Sequence, residues 1–238
     1  MLQIRIKVWC YRAAMRLFWA PSIRELAPRA FFLDAAFRVL AFNGIGGDYL
    51  EFGSHGGRTF SLAHQSITRY KYARHLWSFD SFEGLPKSRP GDEHPHWVQR
   101  SMATGLDEFH AICRASGVPR GQYSVIAGYY EQSLAGMDPA AQPVDVALAY
   151  IDCDLLSSTR DVLRFLSPRL KHGMILAFDD YFRWSSESVS GERQAFVEFS
   201  EGMSDWRFLP YKSFGWHGMS FVVERANLNA TTATPANS

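Results

Sequence analysis

The sequence predicts an α/β fold, a doubly wound and mostly parallel sheet of seven strands with an antiparallel hairpin at its C-terminal end and helices at its N-terminus. Three observations carry this expectation. From residue 48 onward, short and nearly continuous apolar runs alternate with stretches of helical period, the pattern of parallel strands joined by crossovers. The last two apolar runs have no helix between them and are separated by Gly215 and Gly218, which suits a hairpin. The 238 residues suffice for one large domain, and 47% hydrophobic with 21% charged residues is the make-up of an ordinary globular chain.

The chain begins with a basic segment: residues 1–38 hold seven basic side chains (Arg5, Lys7, Arg12, Arg16, Arg24, Arg29, Arg38) against Glu25 and Asp34. Leu2, Ile4, Ile6 and Val8 alternate as in a strand, whereas Tyr11–Trp19 and Ile23–Phe42 read as amphipathic helices. Residues 1–46 are therefore expected to form a helical arm that packs on the fold or faces a partner. The strands expected next are Tyr49–Gly53, Leu76–Asp80, Tyr123–Ala127, Val144–Asp152 and Met174–Asp179, each apolar enough to be covered on both faces. Phe208–Tyr211 and Met219–Val223 supply the hairpin. Residues 47–225 thus make one sheet domain. Within it, residues 83–104 hold three prolines and two glycines without periodicity, an insertion placed above the sheet as a lid. Residues 226–238 lack a hydrophobic anchor and are expected to be a disordered tail.

Composition excludes several functions. Twenty-five basic against 24 acidic side chains leave a net charge of +1, so no global field draws the chain to nucleic acid. No apolar run is long enough for a transmembrane segment, because Arg5, Lys7, Arg12 and Arg16 interrupt the first stretch. Cys10, Cys113 and Cys153 are odd in number and lack metal-site spacing, which suits reduced packing residues in a cytoplasmic compartment.

In such a sheet, ligands bind outside the carboxyl ends of the strands, so the polar residues there are the candidates. The first strand ends in Glu51-Phe52-Gly53-Ser54-His55-Gly56-Gly57, a turn whose glycines let backbone approach a ligand. Asp80 ends the second strand, 23 residues after Gly57, near the offset at which an acid meets a ribose hydroxyl. Together they point to an adenosine-type ligand; a structural turn and cap is the plainer alternative. The turn lacks the GxGxxG spacing of a dinucleotide site, which favours S-adenosylmethionine, whose sulfonium acids and aromatic faces such as Glu51, Tyr129 and Tyr130 can stabilise. Asp152 and Asp154 follow one strand, and Asp179 and Asp180 end the next. Four acids at neighbouring strand ends call for a hard cation with oxygen ligands, for which Mg2+ is suited; helix capping by Asp154 and Asp180 is the alternative.

Across residues 47–200 the sequence resembles the Mg2+-dependent macrocin, mycinamicin and noviose sugar O-methyltransferases. The resemblance rests on Gly47-Asp48-Tyr49-Leu50-Glu51-Phe52-Gly53, Phe79-Asp80-Ser81-Phe82-Glu83-Gly84-Leu85-Pro86, Gly128-Tyr129-Tyr130-Glu131-Gln132-Ser133-Leu134, Asp152-Cys153-Asp154-Leu155-Leu156-Ser157-Ser158-Thr159 and Phe178-Asp179-Asp180-Tyr181, in that order. A sixth stretch, Gly191 to Phe199, resembles the family's helix after the metal site. What the resemblance implies is a Rossmann-like methyltransferase fold with S-adenosylmethionine and Mg2+ as cofactors. It places Glu51, Gly53, Gly57 and Thr59 at the methionine and ribose, Asp80 at the ribose hydroxyls, and Ser81, Tyr130 and Glu131 near the adenine. It makes Asp152, Asp179 and Asp180 the metal ligands and Asp154 the general base beside the acceptor hydroxyl. It also implies a glycoside or other small-molecule acceptor and a homo-oligomer, with a dimer expected through the N-terminal helices.

The sequence departs from the family pattern in three places. Leu156 stands for a usual Tyr, Ser54-His55 for a Val-aromatic pair, and His172-Gly173-Met174 for a Gly-Gly turn. In the insertion, Asp92, Glu93, His94 and His96 are candidates for contacting the acceptor, although a loop histidine is more often simply solvated. The competing readings are a non-catalytic cofactor-binding partner protein and a nicotinamide-dependent oxidoreductase; the retained acids argue against the first and the missing dinucleotide fingerprint against the second.

Overall fold

The computed structural model describes residues 20–72, 74–94 and 96–227; the expected elements before residue 20, Cys10 and the tail from 228 lie outside these. Helix α1 (Pro21–Phe42) leads into strand β1 (Asp48–Phe52), followed by α2 (Arg58–Arg69), β2 (Leu76–Asp80), α3 (Leu106–Ala115) and β3 (Tyr123–Ala127). The short helix α4 (Tyr130–Ser133), β4 (Val146–Ile151), α5 (Leu156–Leu166), β5 (Ile175–Phe178) and α6 (Gly191–Glu201) come next. Strands β6 (Trp206–Phe214) and β7 (Gly218–Arg225) close the chain.

The seven strands form one sheet in the order β3-β2-β1-β4-β5-β7-β6. The first five are parallel, while β7 runs antiparallel to β5 and to β6, so the expected hairpin is the sheet's edge. The hairpin strands are longer than the sequence suggested, because polar residues on the exposed β6 hide its period; Pro210 is tolerated there, next to a register shift. Strand β4 starts later than expected, at Val146, and Val144 before it is 76% exposed.

The sheet buries a core on each face. Phe32, Leu33, Ala36, Phe37 and Leu40 of α1 recur at helical spacing and pack with α2, α3 and one face of β1 and β4. Leu156, Val162, Leu163 and Phe165 of α5 pack with Ala195 and Phe196 of α6 on the other. Helix α1 is thus part of the core. Among the described residues, no helix is long and apolar enough to cross a membrane.

Strand order reverses between β1 and β4, where such sheets open a crevice. Register sets what stands there. Phe52 pairs with Phe79 and with Ile151, and Ile151 with Phe178, so the next residues along each strand, Asp80, Gly53, Asp152 and Asp179, form one level row. The ladder runs on into that row: the Gly53 amide donates to the Phe79 carbonyl at 2.9 Å, Asp152 to Phe52 at 2.8 Å and Asp179 to Ile151 at 2.9 Å.

Gly53 is needed in this row for a steric reason. A Cβ there would lie 1.8 Å from the Asp152 carbonyl oxygen, and its φ of +88° disfavours any other residue. Gly53→Ala should therefore destabilise the protein by ~2–4 kcal/mol in chemical denaturation. A loss below ~1 kcal/mol would mean that the β1 and β4 ends do not meet as described.

Candidate active site

A cavity of about 380 Å³ opens above the level row, within the size range of small-molecule sites. Gly53, Asp80, Tyr130, Asp152, Asp154 and Asp180 are among the residues lining it. Ser81, Glu131 and Asp179 line it too, so nine of the twelve residues to which the family resemblance gave roles meet at one place.

Asp80 is held by backbone. The Ser54 amide donates to its Oδ2 at 2.7 Å and the Phe82 amide to its Oδ1 at 2.7 Å. Each oxygen keeps a lone pair for a ligand hydroxyl. Burial raises the Asp80 pKa despite these bonds. Tyr130 donates to the Phe79 carbonyl at 3.2 Å and sets its ring edge-on to Phe52, presenting a fixed aromatic wall. Ser81 is a turn former, donating to the Gly84 carbonyl at 2.7 Å. Glu131 forms an ion pair with Arg89 of the insertion.

Glu51, Gly57 and Thr59 stand behind the cavity wall rather than on it. Glu51 is fully buried; Thr59 donates to its Oε1 at 2.9 Å and the Tyr49 hydroxyl to its Oε2. Burial pushes the Glu51 carboxyl up to about 8, against the opposing effect of those bonds. Gly57 lets the glycine turn pack on α3, since a Cβ there would lie 3.2 Å from Ile112 and 3.4 Å from Phe109.

The acid cluster gathers from two loops and one helix. Asp154, between β4 and α5, has a φ of +61°, a left-handed backbone that costs a residue with a side chain about 1–2 kcal/mol and is concentrated at functional sites. Burial, then the contact and charge of Asp180, then the charge of Asp152, hold its carboxyl well above the usual range. Asp152 is raised by burial and by Asp179 and Asp180. Glu192, in the first turn of α6 and fully buried, accepts from the Cys153 amide at 2.9 Å and the Asp180 amide at 2.9 Å. It clasps the two acid-bearing loops together, and burial with the charge of Asp180 pushes its carboxyl up as well.

Carboxylate oxygens of Asp152, Asp180 and Glu192 lie within 4.8 Å of one another, as do ligand atoms of Asp179, Asp180 and His217. A buried set of carboxylate oxygens with one imidazole beside it fits a hard divalent cation. His217, in the β6–β7 turn, approaches from the other side: its Nδ1 contacts the Asp179 carbonyl and lies 3.4 Å from Asp180 Oδ1. Arg183 pairs with Asp180 at 3.3 Å and stacks over Trp97.

Sequence reasoning gave no role to Arg29, Tyr150, Glu192 or His217. Arg29 of α1 grips Asp179 with both arms of its guanidinium, Nε to Oδ1 at 2.8 Å and Nη2 to Oδ2 at 2.5 Å, and the Tyr150 hydroxyl donates to Oδ1. The insertion forms one cavity wall and is pinned along its length. Thr104 bonds His55 Nδ1 at 2.9 Å and the Gly56 amide at 3.0 Å. Asp92, read from the sequence as an acceptor contact, is instead 4% exposed and accepts from the Ser157 amide at 2.8 Å and hydroxyl at 2.7 Å, tying the loop to α5. His94 stacks on Trp97 at 4.8 Å. Cys113 and Cys153 are free and buried.

The fold and this row of strand-end acids define a class: Rossmann-like, doubly wound proteins with a carboxylate-rich site at the switch point. Within it, the profile of the macrocin-O-methyltransferase (TylF) family matches residues 28–201, and the chain belongs to that family. It is 31% identical over 153 residues to the 8-demethyl-8-(2,3-dimethoxy-alpha-L-rhamnosyl)-tetracenomycin-C 4'-O-methyltransferase of Streptomyces olivaceus, covering 60% of this chain and 56% of that one. It is 28% identical over 175 residues to the mycinamicin III 3''-O-methyltransferase of Micromonospora griseorubida, covering 68% and 65%. The chain therefore matches little more than half to two thirds of these relatives' length. The structure of the O-methyltransferase NovP superposes with a TM-score of 0.68 at 22% identity, covering 83% of this chain and 80% of that one, which places the two in one fold.

Proposed function

We propose that the protein transfers a methyl group from S-adenosylmethionine to a hydroxyl of a sugar or similarly polyhydroxylated natural product, assisted by Mg2+. The observation that carries this reading is the level row at the switch point, which sets Asp80 and the acid cluster on opposite sides of one cavity in a member of this family. The names of the two relatives point the same way, one methylating a rhamnosyl tetracenomycin and the other mycinamicin III.

Each residue has a task in this scheme. Asp80 accepts hydrogen bonds from the ribose hydroxyls, and Tyr130 and Ser81 flank the adenine. Glu51 and Thr59 support the glycine turn from behind. S-adenosylmethionine supplies a methyl carbon already activated by its sulfonium leaving group. Asp152, Asp179 and Asp180 would hold the cation, which on binding supplies charge that lowers the cost of deprotonating a hydroxyl. Asp154 takes the proton as the oxygen attacks, and the cavity aligns oxygen, methyl and sulfur.

The test is mass spectrometry of glycoside acceptors incubated with the protein, S-adenosylmethionine and Mg2+, with a chelator in a parallel sample. The expected result is a gain of one methyl group, abolished by the chelator. Transfer that is indifferent to the chelator would remove the metal from the scheme; transfer to no hydroxyl acceptor across a broad glycoside panel would contradict the substrate class.

A further inference from the structure

Helix α1 lies far from the acid loops in sequence, yet it drives a cation into them. Arg29 sits 150 residues before Asp179, and its side chain is only 11% exposed. Its position is fixed on both sides. Nη1 donates to the Glu25 carbonyl at 2.7 Å and to Glu25 Oε2 at 3.2 Å, one turn earlier in the helix, while Nε and Nη2 face Asp179. The Tyr150 hydroxyl takes the remaining lone pair of Asp179 Oδ1. A carboxylate so engaged keeps one lone pair, on Oδ2, for any other partner.

We propose that Arg29 is a built-in counter-cation of the acid cluster, competing with the divalent cation for Asp179, so that metal occupancy and docking of α1 oppose each other. The inference rests on the metal-assisted reading above. A guanidinium and a divalent ion sharing one buried carboxylate repel across a few ångströms in a medium of low dielectric. Without metal, Arg29 is the counter-ion of Asp179, which it meets with both arms of the guanidinium. With metal, that service is redundant, and the bidentate grip weakens. Because such coupling is reciprocal, whatever loosens Arg29 must tighten the metal. Asp180 faces a similar but weaker partner, Arg183, at 3.3 and 3.4 Å on a side chain that is 29% exposed. Arg29 is the one built into a helix, so it alone of these two links the metal to the body of the fold.

The test is calorimetric titration of Mg2+ into the chelator-stripped full chain at pH 8, for wild type, Arg29→Met and Arg29→Lys. Arg29→Met is expected to bind Mg2+ about tenfold or more tightly than wild type and to show a larger Mg2+-induced rise in Tm. Arg29→Lys, which keeps the charge but cannot make the two parallel bonds to Asp179, should bind more tightly than wild type and less tightly than Arg29→Met. Hydrogen exchange on the wild type supplies an arm that needs no variant to fold: amides of α1 around Glu25 and Arg29 should exchange faster once Mg2+ is added. Unchanged or weaker binding by Arg29→Met, tighter binding by Arg29→Lys than by Arg29→Met, or greater protection of α1 with Mg2+ would overturn the competition while leaving the metal reading intact. No Mg2+ binding by wild type or variants would overturn both.

Discussion

Asp154→Asn is expected to lower turnover by about 10²–10⁴-fold while S-adenosylhomocysteine binds as it does to the wild type. The prediction follows from where Asp154 stands. Its left-handed backbone, with φ of +61°, turns the chain between β4 and α5 so that the residue lines the cavity beside Asp180. Burial and the neighbouring acids raise its proton affinity, in keeping with the base role proposed for it. Asparagine keeps the shape and the tolerance for this backbone but cannot accept the proton. The measurement is the single-turnover rate of methyl transfer, with circular dichroism to show that the fold persists. Retention of most of the wild-type rate would assign the base elsewhere in the cluster. Loss of cofactor binding together with rate would point to a structural role for Asp154.

The second large effect concerns stability against pH. Glu51 is fully buried, and its carboxyl is pushed up to about 8 from an ordinary value of 4.5. Between those values the folded chain holds a proton that the unfolded chain has released. Stability from this group is therefore complete below about pH 4.5 and is lost as pH rises through about 8. Over that window the loss amounts to ~3–5 kcal/mol. Glu51→Gln mimics the protonated acid and should remove that slope, leaving a protein that resists denaturant better than wild type at pH 8.5. The check is urea unfolding of both proteins from about pH 5.5 to 8.5 in the presence of a chelator, read as the difference in their pH dependence. Parallel curves would mean that Glu51 is ionised within the fold.

These two predictions draw on parts of the structure that the sequence revealed unequally. The five parallel strands were legible because both of their faces are covered, which leaves continuous apolar runs such as Val146–Ile151. Once the runs are aligned, the acids that follow them fall at the carboxyl edge, so Asp80, Asp152, Asp154, Asp179 and Asp180 could be read as one set. What stabilises that set was hidden for physical reasons. Arg29 is one of seven basic residues in the first 38, and nothing in a helical period marks it as turning inward. Tyr150 lies within an apolar strand and reads as core; only its hydroxyl reaches Asp179. Glu192 looks like an ordinary first-turn acid favoured by the helix dipole, with Ser190 as the cap, although both its oxygens bind the amides of two other loops.

The placement of Glu51 and Thr59 illustrates a different limit. Alternation along β1 shows that Glu51 shares a face with Tyr49, and that face is the packed core of α1, α2 and α3. The side chain is consequently beneath the cavity, not in it. Asp92 shows the reverse case, a loop acid expected to contact the acceptor that is instead buried against the start of α5. In both, a side chain's direction was settled by tertiary packing, for which sequence spacing carries no signal.

S-adenosylmethionine is expected to bind at the level row of the β1–β4 switch point. Calorimetric titration with S-adenosylhomocysteine, in the presence of Mg2+, of wild type and Asp80→Ala tests it most directly. The expected result is one-to-one binding to the wild type and affinity weakened about tenfold or more when Asp80 is removed. No binding to a folded wild type, or equal binding by both proteins, would contradict it.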